Sequence, residues 1–155
     1  MEIKPFDLFH KEWALLTAGP FDKHNSMTIS WGELGTLWNK SVATVYVKPS
    51  RYTYNFMEEN DYFVLSFFED EYRDALSVMG SKSGRDVNKD ELSGLTPTSY
   101  EGVTIYKEAK MTLICKKIYY NDLILENIPA DAIKHHYQKE APHRMYVGEV
   151  IKIIK

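Results

Sequence analysis

The spacing of apolar and polar residues along the chain predicts a mainly β fold. Met27, Ile29 and Trp31 alternate with Thr28 and Ser30, which places the two sets on opposite faces of one strand. Other runs are rich in β-branched and aromatic residues, which favour strands. Regular helices do not separate these runs, so an antiparallel β-barrel with accessory helices is predicted rather than a parallel sheet. The predicted strands are Trp13–Ala18, Met27–Trp31, Val42–Val47, Tyr62–Phe68, Val103–Tyr106, Ala109–Tyr120 and Met145–Ile154.

Three short segments have the spacing of helices. Ser50 suits the N-cap of a helix that continues to Asn60. Glu69–Met79 predicts an amphipathic helix, with Gly80 at the position just after its end. Asp131–Tyr137 predicts a third helix that begins with an acidic residue. The apolar face of the second helix consists of Tyr72, Ala75, Leu76 and Met79.

The remaining segments are predicted to be mostly irregular. Gly32 and Gly35 loosen the backbone after the second strand, and Ser81–Asp90 is a polar loop. Thr96–Gly102 is predicted to be a connection, and Leu92–Leu95 a single helical turn.

Composition narrows the classes of function. With 155 residues, of which 44% are hydrophobic, the chain is predicted to fold as one domain over residues 1–155. The net charge of −3 gives no general attraction to nucleic acid or to an anionic membrane. No run approaches the roughly 18 apolar residues of a spanning helix, and no signal peptide is visible. Cys115 is the only cysteine, so we predict a reducing, cytoplasmic setting with a buried and inert thiol.

Familiar catalytic motifs are missing from the sequence. It has no Gly-rich dinucleotide or Walker-type loop and no GxSxG serine motif. His135 and His136 are adjacent rather than four residues apart, so no metal site is predicted from them. We therefore expect a bound cofactor to carry any reaction.

Two segments are candidates for binding a ligand. Asn25–Lys40 mixes large apolar residues with small hydroxyl and amide residues, as the walls of a small-molecule pocket do. Gly80–Arg85 combines backbone N–H groups, two serines and two cations, a set that suits a phosphate group. A solvated surface loop has the same composition and, on composition alone, is the better interpretation of Gly80–Arg85.

The order of the motifs resembles one known family. NSMTISWG at residues 25–32 is followed by WNK at 38–40, VYVKPSRYT at 45–53, GSKSGRD at 80–86 and HRMYVGE at 143–149. With these motifs the chain resembles the flavin reductase-like, FMN-binding split-barrel family, and within it the flavoredoxin-like single-domain members. The resemblance implies a Greek-key split β-barrel, a homodimer, and one FMN per subunit near the dimer interface.

The resemblance also implies the contacts to FMN. The Asn25–Trp31 segment would line the isoalloxazine ring, Ser50–Thr53 would bind the phosphate, and Ser81–Arg85 would add phosphate or ribityl contacts. Ser50 cannot use one hydroxyl both to cap a helix and to bind phosphate. His143 is expected to approach the flavin or the nicotinamide, and no side chain is assigned as a catalytic acid or base. The implied FMN-binding residues are Asn25, Ser26, Met27, Thr28, Ser30, Trp31, Asn39, Lys40, Ser50, Arg51, Tyr52, Thr53, Ser81, Lys82, Ser83 and Gly84.

The function implied by the resemblance is that of an FMN-dependent NAD(P)H:flavin oxidoreductase. Electrons would pass from NADH or NADPH through FMN to a free flavin, another protein or a small acceptor. Two alternatives fit the same resemblance: an FMN electron carrier without direct NAD(P)H activity, and a flavin-binding or storage module without turnover. A barrel that binds single-stranded nucleic acid, or a structural dimer, is more distant, because the aromatic residues are present but a basic excess is not.

Overall fold

The computed structural model describes residues 6–155. Its helices are α1 (Asp7–His10), α2 (Tyr52–Glu59), α3 (Arg73–Ser81), α4 (Lys89–Ser93) and α5 (Ala130–His136), with 3₁₀ turns at Asp70–Tyr72 and Leu125–Asn127. Its strands are β1 (Ala14–Ala18), β2 (Asn25–Ile29), β3 (Gly32–Leu37), β4 (Lys40–Val47), β5 (Tyr62–Phe67), β6 (Pro97–Tyr100), β7 (Val103–Tyr106), β8 (Met111–Asp122) and β9 (Arg144–Ile154).

Most of the strands form one antiparallel sheet that encloses the main core. The order in this sheet is β2-β1-β5-β8-β9-β4-β3, and β6 pairs with β7 separately. A single cluster of buried side chains takes members from both ends of the sheet, for example Met27 in β2 and Val45 in β4. The sheet therefore wraps around a shared interior, and the prediction of a mainly β barrel with accessory helices is confirmed.

Strand β1 is buried on both faces and joins two cores. Leu16 belongs to the barrel interior, whereas its neighbour Leu15 belongs to a second cluster. That second cluster contains Leu76 and Met79 of α3 and Tyr106 of β7. The apolar face predicted for the 69–79 helix is thus the face that covers β1, as its spacing indicates. The prediction of one domain stays a prediction. It is supported by β1, which contributes side chains to both hydrophobic clusters.

Two strands lie where the sequence predicts irregular backbone. β3 occupies the segment of Gly32 and Gly35, and β6 lies in the predicted connection 96–102. Each is half of a hairpin whose turn has two consecutive residues with positive φ: Trp38 and Asn39 in one, Glu101 and Gly102 in the other. Such turns match the twist of paired strands. These predictions are wrong because Trp-Asn and Glu-Gly are not the turn pairs that sequence patterns usually reveal.

The ends of three helices also differ from prediction. Ser50 does not cap α2, because Arg51 is the N-cap residue and the Ser50 hydroxyl donates to Glu140 at 2.9 Å. Gly80 lies inside α3 rather than after it. An added Cβ at Gly80 would meet Thr28 Cβ at 3.1 Å, so this glycine lets α3 approach β2. α4 begins at Lys89, earlier than predicted.

Cys115 is fully buried, as predicted for an inert thiol. Burial raises the pKa of its thiol to about 12, which keeps the thiolate scarce at neutral pH. No helix between residues 6 and 155 combines the length and the apolar character that a bilayer crossing needs.

Gly148 in β9 is a point where the barrel interior has no room for a side chain. An added Cβ would lie 2.6 Å from the Phe63 ring and 2.8 Å from Cys115 Cβ. We expect Gly148→Ala to lower the free energy of unfolding in urea by about 1–3 kcal/mol through overpacking. Gly35→Ala is the control, since its added Cβ meets no atom within 4 Å among the described residues. Equal losses in the two variants would contradict this account.

Candidate functional site

A hollow of about 160 Å³ lies where β2, the start of α2 and the α3–α4 loop meet. We call it the cradle. Its walls combine hydroxyl groups, backbone N–H groups and cationic side chains. It is lined by Asn25, Met27, Ser50, Arg51, Tyr52, Thr53, Ser81, Lys82, Ser83, Gly84, Arg85 and Lys89. The structure thus brings together most of the site residues that the sequence predicts, including Arg85 of the predicted 81–85 loop, and it adds Lys89.

The cradle is assembled around the buried side chain of Asn25. Its Nδ2 donates to Thr53 Oγ1 at 2.8 Å, which ties the first residue of β2 to the first turn of α2. On the other side, an added Cβ at Gly84 would lie only 2.2 Å from Asn25 Oδ1. The loop can therefore close on Asn25 only because residue 84 has no side chain.

Among residues 6–155, the arginines of the cradle are held without carboxylate partners. Arg51 Nη2 donates to the carbonyl of Gly80 at 3.1 Å. The Arg85 guanidinium lies 4.9 Å from the Tyr52 ring centroid, and its Nη1 donates to the Ser50 carbonyl at 3.4 Å. Neutral carbonyls and an aromatic ring orient these cations without cancelling their charge, so the cradle keeps a positive potential.

Lys89 is the least expected member of the cradle. Its side chain is buried, with 6% exposure, and it takes part in no ion pair within residues 6–155. Burial, and then the nearby Arg51 charge, lower the pKa of Lys89 to about 8, against an opposing effect of Asp90. A buried cation beside another cation is unfavourable until an anion joins them. The cradle therefore has a charge and a lining that suit an anion.

Lys89 is not among the site residues predicted from the sequence, because it lies in the polar segment Ser81–Asp90, whose composition is typical of a solvent-exposed loop. One signal was available: Asn88 followed three residues later by Glu91 has the pattern of a helix start. In the structure Asn88 Oδ1 accepts from the Glu91 backbone N–H at 3.2 Å. That cap fixes Lys89 in the first turn of α4.

A chain of buried and partly buried hydrogen bonds holds α4 against the barrel. Asp90 accepts from His24 Nε2 at 2.7 Å and from the Tyr106 hydroxyl at 2.6 Å. The Tyr106 hydroxyl is 2.8 Å from Ser26 Oγ, which is 2.8 Å from Thr17 Oγ1. The Ser26 hydroxyl therefore forms hydrogen bonds inside the protein and does not line the cradle. Only the backbone of Ser26 is left for the predicted ligand contact.

The His24–Asp90 contact shifts the pKa of both groups. Burial alone would lower the pKa of His24, but the Asp90 carboxylate outweighs burial and raises it above 6.5. Burial alone would raise the pKa of Asp90, but hydrogen bonds from His24 and Tyr106 outweigh that and lower it below 3.8. The two pKa shifts favour a protonated His24 paired with an ionised Asp90 at mildly acid pH, next to Lys89 in the chain.

A second hollow of about 300 Å³ adjoins the cradle, and we call it the tryptophan hollow. It shares Met27 and Arg51 with the cradle. Its walls are part apolar and part polar, which suits a flat molecule with one edge of each kind. It is lined by Met27, Thr28, Ile29, Ser30, Trp31, Tyr46, Lys48, Arg51, Gly80 and His143.

The segment between α5 and β9 forms one wall of the tryptophan hollow. Trp31 packs between His136 and His143, with ring centroids 5.0 and 5.2 Å away. His143 Nδ1 is 2.7 Å from the Tyr137 hydroxyl. Burial, then the charges of Lys48 and His136, lower the pKa of His143 to about 4, so its imidazole is neutral at physiological pH.

Glu140 fastens this same segment to the edge of the cradle. Its carboxylate accepts from Lys48 Nζ at 2.6 Å and from Ser50 Oγ at 2.9 Å. These hydrogen bonds lower the pKa of Glu140. The Ser50 hydroxyl therefore already has an acceptor, and an anion in the cradle must share it or displace Glu140.

Two predicted site residues, Asn39 and Lys40, lie far from the cradle of the same subunit. Asn39 is in the β3–β4 turn, and Lys40 Nζ pairs with Glu149 at 3.0 Å. β4 runs from Lys40 to Val47, so at about 3.3 Å per residue the turn lies roughly 23 Å from the cradle end of the strand. Neither residue lines the cradle or the tryptophan hollow of its own subunit.

Comparison with known sequences identifies one family. The sequence model of the flavin reductase like domain matches residues 6–154. A search of curated proteins finds no match to the chain.

Several solved structures share the fold. An FMN-binding protein from Thermus thermophilus with bound 1-cyclohex-2-enone is 18% identical, with a TM-score of 0.73 over 100% of this chain and 76% of that one. The flavoredoxin of Methanosarcina acetivorans is 22% identical, with a TM-score of 0.74 over 93% and 68%. An NADH:FAD oxidoreductase from Streptomyces globisporus is 14% identical, with a TM-score of 0.72 over 93% and 75%. At these identities the likeness establishes the fold alone.

The His24–Asp90 pair predicts a pH-dependent contribution to stability. Because the folded-state pKa of His24 is raised, its contribution is complete below 6.5 and is lost as pH rises through the folded value. We expect His24→Gln to lower the free energy of unfolding more at about pH 6 than at about pH 9.

The measurement is urea unfolding of the wild type and the variant across that pH range. Exposed His10, replaced by Gln, is the control and should show no such trend. A destabilisation by His24→Gln that is constant with pH would show that the pair is not charged.

Proposed function

The chain belongs to the flavin reductase-like domain family, and on that premise we propose that it is an FMN-dependent oxidoreductase. It moves electrons from NADH or NADPH to a flavin or another acceptor. The observation that carries this proposal is the cradle, with its buried Lys89, directly beside a hollow of mixed apolar and polar lining.

The residues present fit FMN at the phosphate end. A phosphate in the cradle meets Arg51 and Lys89, two cations with no carboxylate partner among residues 6–155. The hydroxyls of Thr53 and Ser83 and the first N–H groups of α2 lie in the same wall. Anionic oxygens accept from such donors strongly, and a phosphate would reverse the unfavourable burial of Lys89.

The tryptophan hollow fits the flavin ring. Met27 and Ile29 supply apolar surface, while Ser30 and the backbone of the β2 edge supply hydrogen-bonding groups. The Thr28 hydroxyl donates to the Leu76 carbonyl, so this side chain binds α3 and its proton is not available to the flavin ring.

When bound, FMN supplies the redox chemistry, which is hydride acceptance at N5 and the passage of two electrons onward. The chain positions the reactants. Trp31 stands at the mouth of the tryptophan hollow with 43% of its surface exposed, where a planar donor can approach. Neutral His143, held by Tyr137, adds a polar group to the wall of the tryptophan hollow without adding charge. Arg51 lies in the wall common to both hollows and favours negative charge in either.

An FMN electron carrier is the second candidate function. The shared fold of the flavoredoxin from Methanosarcina acetivorans supports it. The hydrogen bonds that Lys48 and Ser50 donate to Glu140 also support it, because they hold the segment between α5 and β9 against residues that line both hollows. A reaction with NADH or NADPH distinguishes the two candidates.

We propose a homodimer as the working form. Large apolar side chains remain exposed around the β3–β4 hairpin and along β8 and β9 in the single chain, and a subunit interface would cover them. Trp38 is 62% exposed and contacts only the edge of Tyr119 among the described aromatic rings. The other exposed residues in this region are Leu34, Tyr120, Ile151 and Ile153. A cytoplasmic location remains part of the proposal, since the one cysteine is a free thiol.

Replacement of Lys89 tests the cradle. We expect Lys89→Met to weaken FMN binding by about tenfold to a hundredfold, the usual effect of losing one hydrogen bond to a charged group. The flavin-free variant should be at least as stable as the wild type, because a buried cation without a partner is removed. Titration calorimetry and urea unfolding measure the two effects.

Exposed Lys107, replaced by Met, is the matched control for Lys89→Met. Unchanged FMN affinity in Lys89→Met would place the phosphate outside the cradle.

The proposed activity is tested with the purified protein and added FMN. We expect a yellow complex that releases FMN on denaturation and is bleached without oxygen by NADH or NADPH. Added riboflavin should then sustain oxidation of that nucleotide. FMN that stays bound but is bleached only by dithionite would support the electron carrier. A protein that remains colourless with FMN would overturn both candidates.

A further inference from the structure

We propose that Glu140 competes with the phosphate of FMN for the Ser50 hydroxyl, and that it thereby sets how strongly the cradle favours a phosphorylated flavin. This inference rests on the proposed function. Glu140 lies in residues 138–142, between α5 and β9, and we call these residues the strap. Its side chain lines neither the cradle nor the tryptophan hollow, but its carboxylate binds one wall residue of each.

The strap is hydrogen-bonded to the rest of the protein through the carboxylate of Glu140. Among residues 6–155, no backbone-to-backbone hydrogen bond involves residues 138–142, and no other side chain of the strap forms a hydrogen bond. The nearest backbone hydrogen bonds are made by Tyr137 and His143, which adjoin the two ends of the strap. The attachment of the strap therefore depends on the two oxygens of one side chain.

Each of these two oxygens has its own partner. Lys48 Nζ donates to one of them at 2.6 Å, and it also donates to the His136 carbonyl at the end of α5, at 3.2 Å. The Ser50 hydroxyl donates to the other at 2.9 Å. A serine hydroxyl has one proton to donate. While Glu140 accepts that proton, a phosphate in the cradle cannot.

A phosphate in the cradle is the stronger acceptor for the Ser50 proton. It has Arg51 and Lys89 in the same lining, whereas the Glu140 side chain is 44% exposed and its ion pair with Lys48 is weakened by water. The phosphate and the carboxylate are both anions, so they repel each other as well as accepting from one donor. We therefore expect the phosphate to take the Ser50 proton and Glu140 to keep Lys48 alone.

This exchange connects the two ends of the site. Trp31 packs on His143, beside the strap, in the wall of the tryptophan hollow. When Ser50 turns from Glu140 to a phosphate, the strap loses one of its two attachments, so phosphate binding loosens the wall near the flavin ring. The coupling is reciprocal, so a strap held by Glu140 must weaken phosphate binding by the same free energy. Riboflavin has no phosphate and is not subject to this competition.

Glu140→Gln tests the competition because it removes the charge and keeps the size of the side chain. Flavin-free protein is titrated with FMN and with riboflavin, and flavin fluorescence gives both affinities. We expect Glu140→Gln to bind FMN about threefold to tenfold more tightly, the usual effect of a partly exposed charged competitor, and to leave riboflavin within about twofold. Glu126→Gln is the control and should change neither affinity, because Glu126 is exposed and forms no ion pair among residues 6–155.

A double-mutant cycle with FMN alone shows whether the gain depends on the contested hydroxyl. Ser50→Ala should weaken FMN binding, because the phosphate loses a donor. In the Ser50→Ala background, Glu140→Gln should tighten FMN by less than about twofold, since no proton is left to compete for. Urea unfolding of each variant checks that all of them are folded.

Three results would overturn the inference while the proposed function stands. They are unchanged or weaker FMN binding in Glu140→Gln, an equal gain for FMN and riboflavin, and a gain for FMN that persists in full without the Ser50 hydroxyl. Failure of the wild type to bind either flavin would overturn the proposed function itself.

Discussion

The contact between Asn25 and Gly84 is the constraint on which the candidate site depends. One side of the Asn25 amide is bonded to Thr53, and the other side leaves no space for a Cβ at residue 84. A strand, a helix start and a loop from distant parts of the sequence therefore meet at one point. Without that meeting the loop cations would remain in solvent, where they hold anions weakly. The positive cradle is a consequence of close packing around a neutral side chain.

Charge in the cradle links ligand binding to the stability of the fold. Lys89 is buried beside Arg51, which is unfavourable for the isolated chain. The hydrogen-bonded chain from Asp90 through Tyr106 and Ser26 to the barrel resists release of Lys89 to solvent. An anionic ligand removes the conflict, so it should bind the folded state strongly and stabilise it. This is the physical reason to regard the cradle as a binding site and not as an accident of loop packing.

The two sides of the cradle differ in chemistry. On one side the tryptophan hollow offers apolar surface, an exposed aromatic edge and a neutral His143. On the other side an adjoining hollow of about 620 Å³ offers Phe21, polar groups and the stacked Arg85. A ligand with a planar end in the tryptophan hollow and an anionic end in the cradle matches this arrangement, and FMN has that form. The family assignment and the geometry thus support the same class of cofactor from independent observations.

The sequence by itself determined the mainly β character, the packing face of α3 and the segments that line the site, because alternation, helical spacing and short motifs are local properties. It did not determine which side chains those segments use. Tertiary structure decided that Lys89 is buried, that Ser50 meets Glu140, that Ser26 turns inward and that Asn39 and Lys40 lie at the far end of β4. Burial of a charge and the choice of a hydrogen-bond partner depend on which distant segments fold over a residue, and no local pattern contains that information.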